Sequence, residues 1–128
     1  MHRVLISLGS NCQQSVHIQW TSERLCTVLQ DVSFSRKLWT ADIKGSGHWY
    51  MNRLLKGYTT LTASELEVLL KQLERETGRD KGRVTIDADL LLYDKERFHL
   101  HDWPRTYVQQ LLPDVMDEKS LSQLIKNK

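Results

Sequence analysis

Apolar residues along this chain follow two periods. In residues 3–8, Val4, Ile6 and Leu8 alternate with Arg3, Leu5 and Ser7, which predicts a short strand. Gly9-Ser10-Asn11 then interrupts the pattern and is placed to start a helix. Over 14–29, Ile18, Ser22, Leu25 and Leu29 recur at helical spacing with Val28 beside them, predicting an amphipathic helix against a sheet. Phe34, Leu38 and Trp39 mark a second strand over 32–40, Gly45-Ser46-Gly47 a loop over 41–48, and Trp49, Tyr50, Leu54, Leu55 and Tyr58 a third strand over 49–60. The second helix is signalled at both ends. Thr62-Ala63-Ser64-Glu65 fits a capping box, Leu66, Leu69, Leu70 and Leu73 follow the i, i+3, i+4, i+7 rule, and Gly78 suits a left-handed terminator. A fourth strand spans 84–93, with Val84, Ile86, Ala88 and Leu90 on one face and Thr85, Asp87, Asp89 and Leu91 on the other. Helices are predicted near 106–112 and 119–126.

The order β-α-β-β-α-β predicts an α+β, ferredoxin-like fold: an antiparallel sheet with helices on one face, plus C-terminal helices, and the other face left for function. A length of 128 residues suits a single domain, 1–128, with one core. With 40% hydrophobic and 27% charged residues, disorder and collagen-like repeats are excluded. A net charge of +2 is too small to imply a nucleic-acid or membrane partner. Cys12 and Cys26 read as reduced thiols, without metal-ligand spacing. The apolar start is too short for a signal peptide or a membrane span, so a cytoplasmic protein is expected.

Asp87 and Asp89 carry the sharpest chemical signal. Two apart in a strand, they point to the same side, with alpha carbons roughly 6.5–7 Å apart. Such a pair repels itself unless a cation neutralises it. Its hard oxygen ligands suit Mg²⁺, which takes one or two carboxylates plus substrate phosphates, and two ions could share the pair. Solvated acids on an open sheet face are the bland alternative. Arg79, Lys81, Arg83 and Arg105 supply cations, and guanidinium groups match phosphate oxygens bidentately. Tyr50 and Asn52 share a strand face, an aromatic ring beside an amide, which suits a flat heterocycle; a core tyrosine and an edge asparagine would give the same pattern. Neither GxxxxGK[ST] nor GxGxxG occurs, which excludes P-loop and Rossmann enzymes on motif grounds.

Ser7-Leu8-Gly9-Ser10-Asn11, Tyr50-Met51-Asn52, Leu73-Glu74 running to Gly78-Arg79, and Thr85-Ile86-Asp87-Ala88-Asp89-Leu90-Leu91-Leu92-Tyr93 stand in one order over nearly the whole chain. Together they resemble the 6-hydroxymethyl-7,8-dihydropterin pyrophosphokinase family of the folate pathway, whose fold is ferredoxin-like. The resemblance implies transfer of pyrophosphate from ATP to the pterin hydroxymethyl group, with small molecules as partners; a monomer is expected, although the sequence does not fix the oligomeric state. It implies that Asp87 and Asp89 hold two Mg²⁺ ions, and that Asn52, Tyr50, Tyr107 and main-chain groups at Thr40 and Ala41 form the pterin pocket. Glu74 and His99 would lie at the nucleotide, with His101 as the competing histidine. Arg79 and Arg105 would contact its phosphates, with Arg83 as a further catalytic arginine. One stretch departs. The family carries a longer, tryptophan-bearing loop after the position of Arg79, where this chain has only Asp80-Lys81-Gly82-Arg83-Val84. A non-catalytic pterin- or nucleotide-binding module is therefore the alternative. An RNA-binding sheet is a third reading, opposed by the exposed acids.

Overall fold

The computed structural model describes residues 1–42, 44–80 and 82–126. The elements run β1 (His2–Ser10), α1 (Gln14–Val28), β2 (Gln30–Phe34), β3 (Leu38–Ala41), β4 (Trp49–Thr59), α2 (Ala63–Glu76), β5 (Asp87–Tyr93), β6 (Glu96–Arg97), a 3-10 turn (Leu100–Asp102), α3 (Thr106–Val115) and α4 (Glu118–Lys126). The sheet order is β2-β4-β1-β5-β6, with β3 also on β4, and every pairing is antiparallel. This is the ferredoxin-like arrangement expected from the element order.

Several boundaries differ from the sequence reading. β1 continues through Gly9 and Ser10, and Gln13 turns in the left-handed region before α1 begins. The strand expected over 32–40 is broken. Phe34 pairs with Leu55 and Leu38 with Asn52, so this edge carries one more residue than β4 opposite it, which is a bulge. Ser35 bridges the break: its N–H donates to the Leu54 carbonyl, and its Oγ accepts from the Leu54 N–H. The strand expected from 84 starts at Asp87. Val84 before it is tied to Asn11, whose Oδ1 accepts from Val84 N at 2.8 Å while Asn11 N donates to the Val84 carbonyl. α2 has the predicted capping box, with Thr62 N to Glu65 Oε1 at 2.9 Å and Glu65 N to Thr62 Oγ1 at 3.1 Å. Gly78 takes the left-handed conformation just past the end of this helix. α3 runs past Pro113 to Val115.

Two apolar layers form. Val4, Ile6, Leu8, Ile86, Ala88 and Leu90 meet Ile18 and Leu25 of α1 and Leu66, Leu70 and Leu73 of α2. Val28 is exposed rather than part of this face. On the opposite face, Leu5, Leu54, Leu91 and Leu92 pack with Val108, Leu111, Leu112 and Val115 of α3. That face is therefore not left open, as the sequence reading expected. The register shift between β1 and β5 has the same effect: Leu5 pairs with Leu92 and Ile6 with Leu90, so Leu91 is the extra residue and Leu91 and Leu92 both reach the α3 side. Full burial of each leucine is worth about 1.5–3 kcal/mol, which is ample reason to cover this face.

Candidate active site

α3 leaves one end of the second face uncovered, where β1 ends, β5 begins and β4 begins. Strand register builds a row across it. Leu38 pairs with Asn52, Asn52 with Gly9, and Gly9 with Asp87; one step along, Leu54, Ser7 and Asp89 form the next row. A cavity of about 540 Å³ stands over these rows. Its floor is Gly9, where a β-carbon would sit 3.4 Å from Asn52 Oδ1 and 3.8 Å from Tyr50 Cδ1. One wall is Thr40, Ala41, Tyr50 and Asn52; the opposite wall is Pro104, Arg105, Thr106 and Tyr107. The Asn52 side chain is oriented before any ligand arrives, because its Nδ2 donates to Thr40 Oγ1 at 2.7 Å and to the Leu38 carbonyl at 3.3 Å. Its Oδ1 is left as an acceptor facing the space over Gly9. Tyr107 and Ser7 share a hydrogen bond of 3.1 Å, and burial pushes the Tyr107 phenol above its ordinary range, so it stays protonated. Burial likewise raises Tyr50, whose hydroxyl accepts from Asn11 at 3.3 Å.

The charged rim is organised by Glu74, a buried carboxylate at the end of α2. Its Oε2 accepts from the Ala88 N–H at 2.9 Å, between the two aspartates, and from Lys71 Nζ at 3.1 Å. Its Oε1 lies 3.1 Å from Arg79 Nη1, which also reaches Asp87 Oδ1 at 3.3 Å. Asp87 is more open, with 42% of its side chain exposed against 17% for Asp89. The groups beside Asp89 stand further off, the Lys71 ammonium at 3.7 Å and the His99 imidazole at 4.0 Å. Burial first, and the Asp87 charge second, push the Asp89 carboxyl up to about 6. Burial alone would lower Lys71, but its hydrogen bond to Glu74 and the surrounding carboxylates raise it. Arg105 is aimed by Asp102, whose Oδ1 accepts from Arg105 Nε at 3.1 Å.

Comparison with known proteins gives the family of the chain. Residues 5–117 match the model of the 7,8-dihydro-6-hydroxymethylpterin-pyrophosphokinase (HPPK) family. The chain belongs to this family. It is 31% identical over 105 residues to the 2-amino-4-hydroxy-6-hydroxymethyldihydropteridine pyrophosphokinase of Aquifex aeolicus, a match covering 75% of this chain and 64% of that protein. It is 28% identical over 85 residues to the folate synthesis bifunctional protein of Arabidopsis thaliana, covering 56% of this chain and 18% of that one. The chain thus spans just under two thirds of the first relative and a small part of the second.

Within this HPPK-family chain, the structure gathers most of the residues expected from sequence. Thr40, Ala41, Tyr50, Asn52, Arg79, Asp87, Arg105 and Tyr107 line one cavity. Asp89, Glu74 and His99 stand behind its rim rather than on the lining, with His99 3.4 Å from Glu67 and 4.0 Å from Asp89. His101 is exposed and lies 3.5 Å from Asp102. Arg83 does not reach the cavity. Its guanidinium bonds Asp80 Oδ2 at 2.9 and 3.2 Å, while Asp80 Oδ1 accepts from the Gly82 and Arg83 N–H groups. The short loop is thus closed on itself. Lys81 lies outside the described residues. Ser7, Gly9, Asp42 and Lys44 also line the cavity and were not anticipated as site residues. Gly9 reads in the sequence as the break after the first strand, and only its place inside β1 marks it as a point of close approach. Lys71 and Asp102 had none, because their roles depend on how separate elements dock.

The donor set fits Mg²⁺. Among the described residues no three His, Cys, Asp or Glu side chains group to hold a metal ion by themselves, so an ion here would draw its remaining ligands from elsewhere. Two same-face carboxylates, one half-buried and poorly compensated, match an ion that completes its octahedron with water and phosphate oxygens. Among the described residues, no helix is long and apolar enough to cross a membrane.

Proposed function

We propose that the chain transfers a pyrophosphoryl group from ATP to the hydroxymethyl oxygen of 6-hydroxymethyl-7,8-dihydropterin, as a monomer in the cytoplasm. The observation that carries this is the row Asn52–Gly9–Asp87. It puts a preoriented amide and a side-chain-free floor directly beside a carboxylate flanked by Arg79, with Arg105 across the cavity. Asn52 Oδ1 accepts from the N–H edge of the pterin, and Tyr50 and Tyr107 bound the slot in which the ring lies. The hydroxymethyl end then faces Asp87. Arg79 and Arg105 bind phosphate oxygens of the nucleotide.

In the reaction, the hydroxymethyl oxygen bonds to the β-phosphorus, the bond from that phosphorus to the oxygen bridging the α-phosphate breaks, and AMP leaves. The hydroxyl proton is released, and no cavity side chain is assigned as its acceptor. Asp87 and Asp89 would hold Mg²⁺, two ions by analogy with the family, which when bound lowers the charge of the triphosphate. Catalysis then rests on alignment and charge neutralisation by the residues named, as in phosphoryl transfer generally. Tyr107 and Ser7, already bonded to each other, limit water at the inner end of the slot.

The test is AMP release with pterin, ATP and Mg²⁺, measured beside the Asp87→Ala/Asp89→Ala double variant. Turnover no higher than that control refutes the proposal. One observation favours a binding module without turnover: the loop after Arg79 is closed by Asp80 and Arg83 and brings no further arginine to the cavity. Calorimetric binding of pterin and nucleotide without AMP release would establish it.

A further inference from the structure

Lys71 has no part in the roles assigned above, yet its position is specified from two sides. It lies on α2 three residues before Glu74, and its Nζ sits 3.1 Å from Glu74 Oε2 and 3.7 Å from Asp89 Oδ1. The Glu74 oxygen that holds it is itself anchored, because it also accepts from the Ala88 N–H between the two aspartates. The other Glu74 oxygen holds Arg79, which rests on Asp87. One buried carboxylate therefore aims two cations, one at each aspartate. The two differ in kind. Arg79 is a planar fork bonded to Glu74 and Asp87 together, whereas Lys71 is a single charge on a flexible stem, with half of its side chain exposed. Its contact with Asp89 is too long for a hydrogen bond, so the ammonium is hydrogen-bonded to Glu74 and held toward Asp89 by charge alone.

We infer that Lys71 is a resident counter-ion of Asp89, which a divalent cation must displace, and that the displaced ammonium then binds the polyphosphate of the nucleotide. The inference rests on the proposal that Asp87 and Asp89 hold a metal. Two effects of opposite sign follow from one side chain. Without nucleotide, the ammonium competes with the cation for Asp89 and weakens its binding. With nucleotide, it adds a charge-assisted bond to a phosphate oxygen and strengthens the ternary complex. A residue that merely braced α2 against β5 would move both affinities in the same direction.

The experiment uses the full chain and Mn²⁺ as the probe, with free Mn²⁺ read by electron paramagnetic resonance, alone and with ATP in the absence of pterin. Wild type, Lys71→Gln, Lys71→Arg and Asp87→Ala/Asp89→Ala are compared. Lys71→Gln should bind Mn²⁺ alone about threefold more tightly, the scale of a half-exposed ion pair. It should bind ATP with Mn²⁺ about tenfold more weakly, the scale of one charge-assisted hydrogen bond. Lys71→Arg should keep the wild-type order of both. If Lys71→Gln changes neither affinity, or lowers both, the role given to Lys71 is wrong while the metal site stands. If wild type binds no more Mn²⁺ than the double aspartate variant, the metal proposal itself is refuted, and the inference falls with it. Circular-dichroism melting of Lys71→Gln guards against loss of fold, which is not expected for a side chain this exposed.

Discussion

Replacing Asp89 by Asn should stabilise the protein at neutral pH while abolishing its response to Mg²⁺. Folding moves the Asp89 carboxyl from an ordinary 3.8 up to about 6, chiefly through burial and then through the Asp87 charge. The native state therefore holds this proton more tightly than the unfolded chain does. Below about pH 4 both states are protonated and the group contributes its full share to stability. As pH rises through about 6, the native state must ionise a poorly compensated carboxylate, and that share is lost. A shift of this size corresponds to about 3 kcal/mol at most. Water at the rim screens it, so about 1–2 kcal/mol is the expected penalty at pH 7.5. Asp89→Asn removes it. For a domain of this size that raises Tm by roughly 4–8 °C, a difference that should shrink to nothing near pH 4. The assay is thermal unfolding followed by circular dichroism from pH 4 to 8, with and without Mg²⁺. The wild type should gain stability when Mg²⁺ is added at pH 7.5, since a ligand bound only by the native state stabilises it. The variant should not. A variant less stable than wild type at pH 7.5, or an advantage that persists unchanged at pH 4, would refute the electrostatic origin of the strain.

Three further outcomes follow from the geometry. Gly9→Ala should fold normally, since the nearest atom to a new β-carbon is 3.4 Å away, yet weaken pterin binding at least tenfold by filling the cavity floor; calorimetry checks the affinity and a thermal melt the fold. Glu74→Gln keeps the shape but removes the charge that aims Lys71 and Arg79, so urea denaturation should show a loss of about 1–3 kcal/mol, and an unchanged midpoint would mean that Glu74 does not strap α2 to β5. Arg79→Ala should raise the KM for ATP about tenfold, whereas Arg83→Ala should leave it within about twofold because that guanidinium is spent on Asp80; equal effects in steady-state kinetics would show that the loop opens during turnover.

The α2 helix was legible in the sequence at both ends because its signals are local. Thr62 and Glu65 satisfy each other's backbone donors within one turn, and Gly78 takes a conformation that side chains disfavour. The shared face of Asp87 and Asp89 follows from the two-residue period of a strand, and so does that of Tyr50 and Asn52. The four strands and two helices in order were enough to predict the antiparallel topology. What the sequence left undecided depends on contacts between elements far apart in the chain. The break at Ser35 and the doubled Leu91-Leu92 face exist because strands with unequal residue counts must share one ladder. The covering of the second face by α3 depends on where the chain goes after β6. Glu74 reads as an exposed helix-end acid until α2 docks on β5, when one oxygen takes the Ala88 N–H and the Lys71 ammonium together and burial removes the water that would otherwise solvate it. Local hydrogen bonds and side-chain periodicity are set within a few residues, but charge compensation around the paired acids is set by which elements meet, and only the tertiary structure decides that.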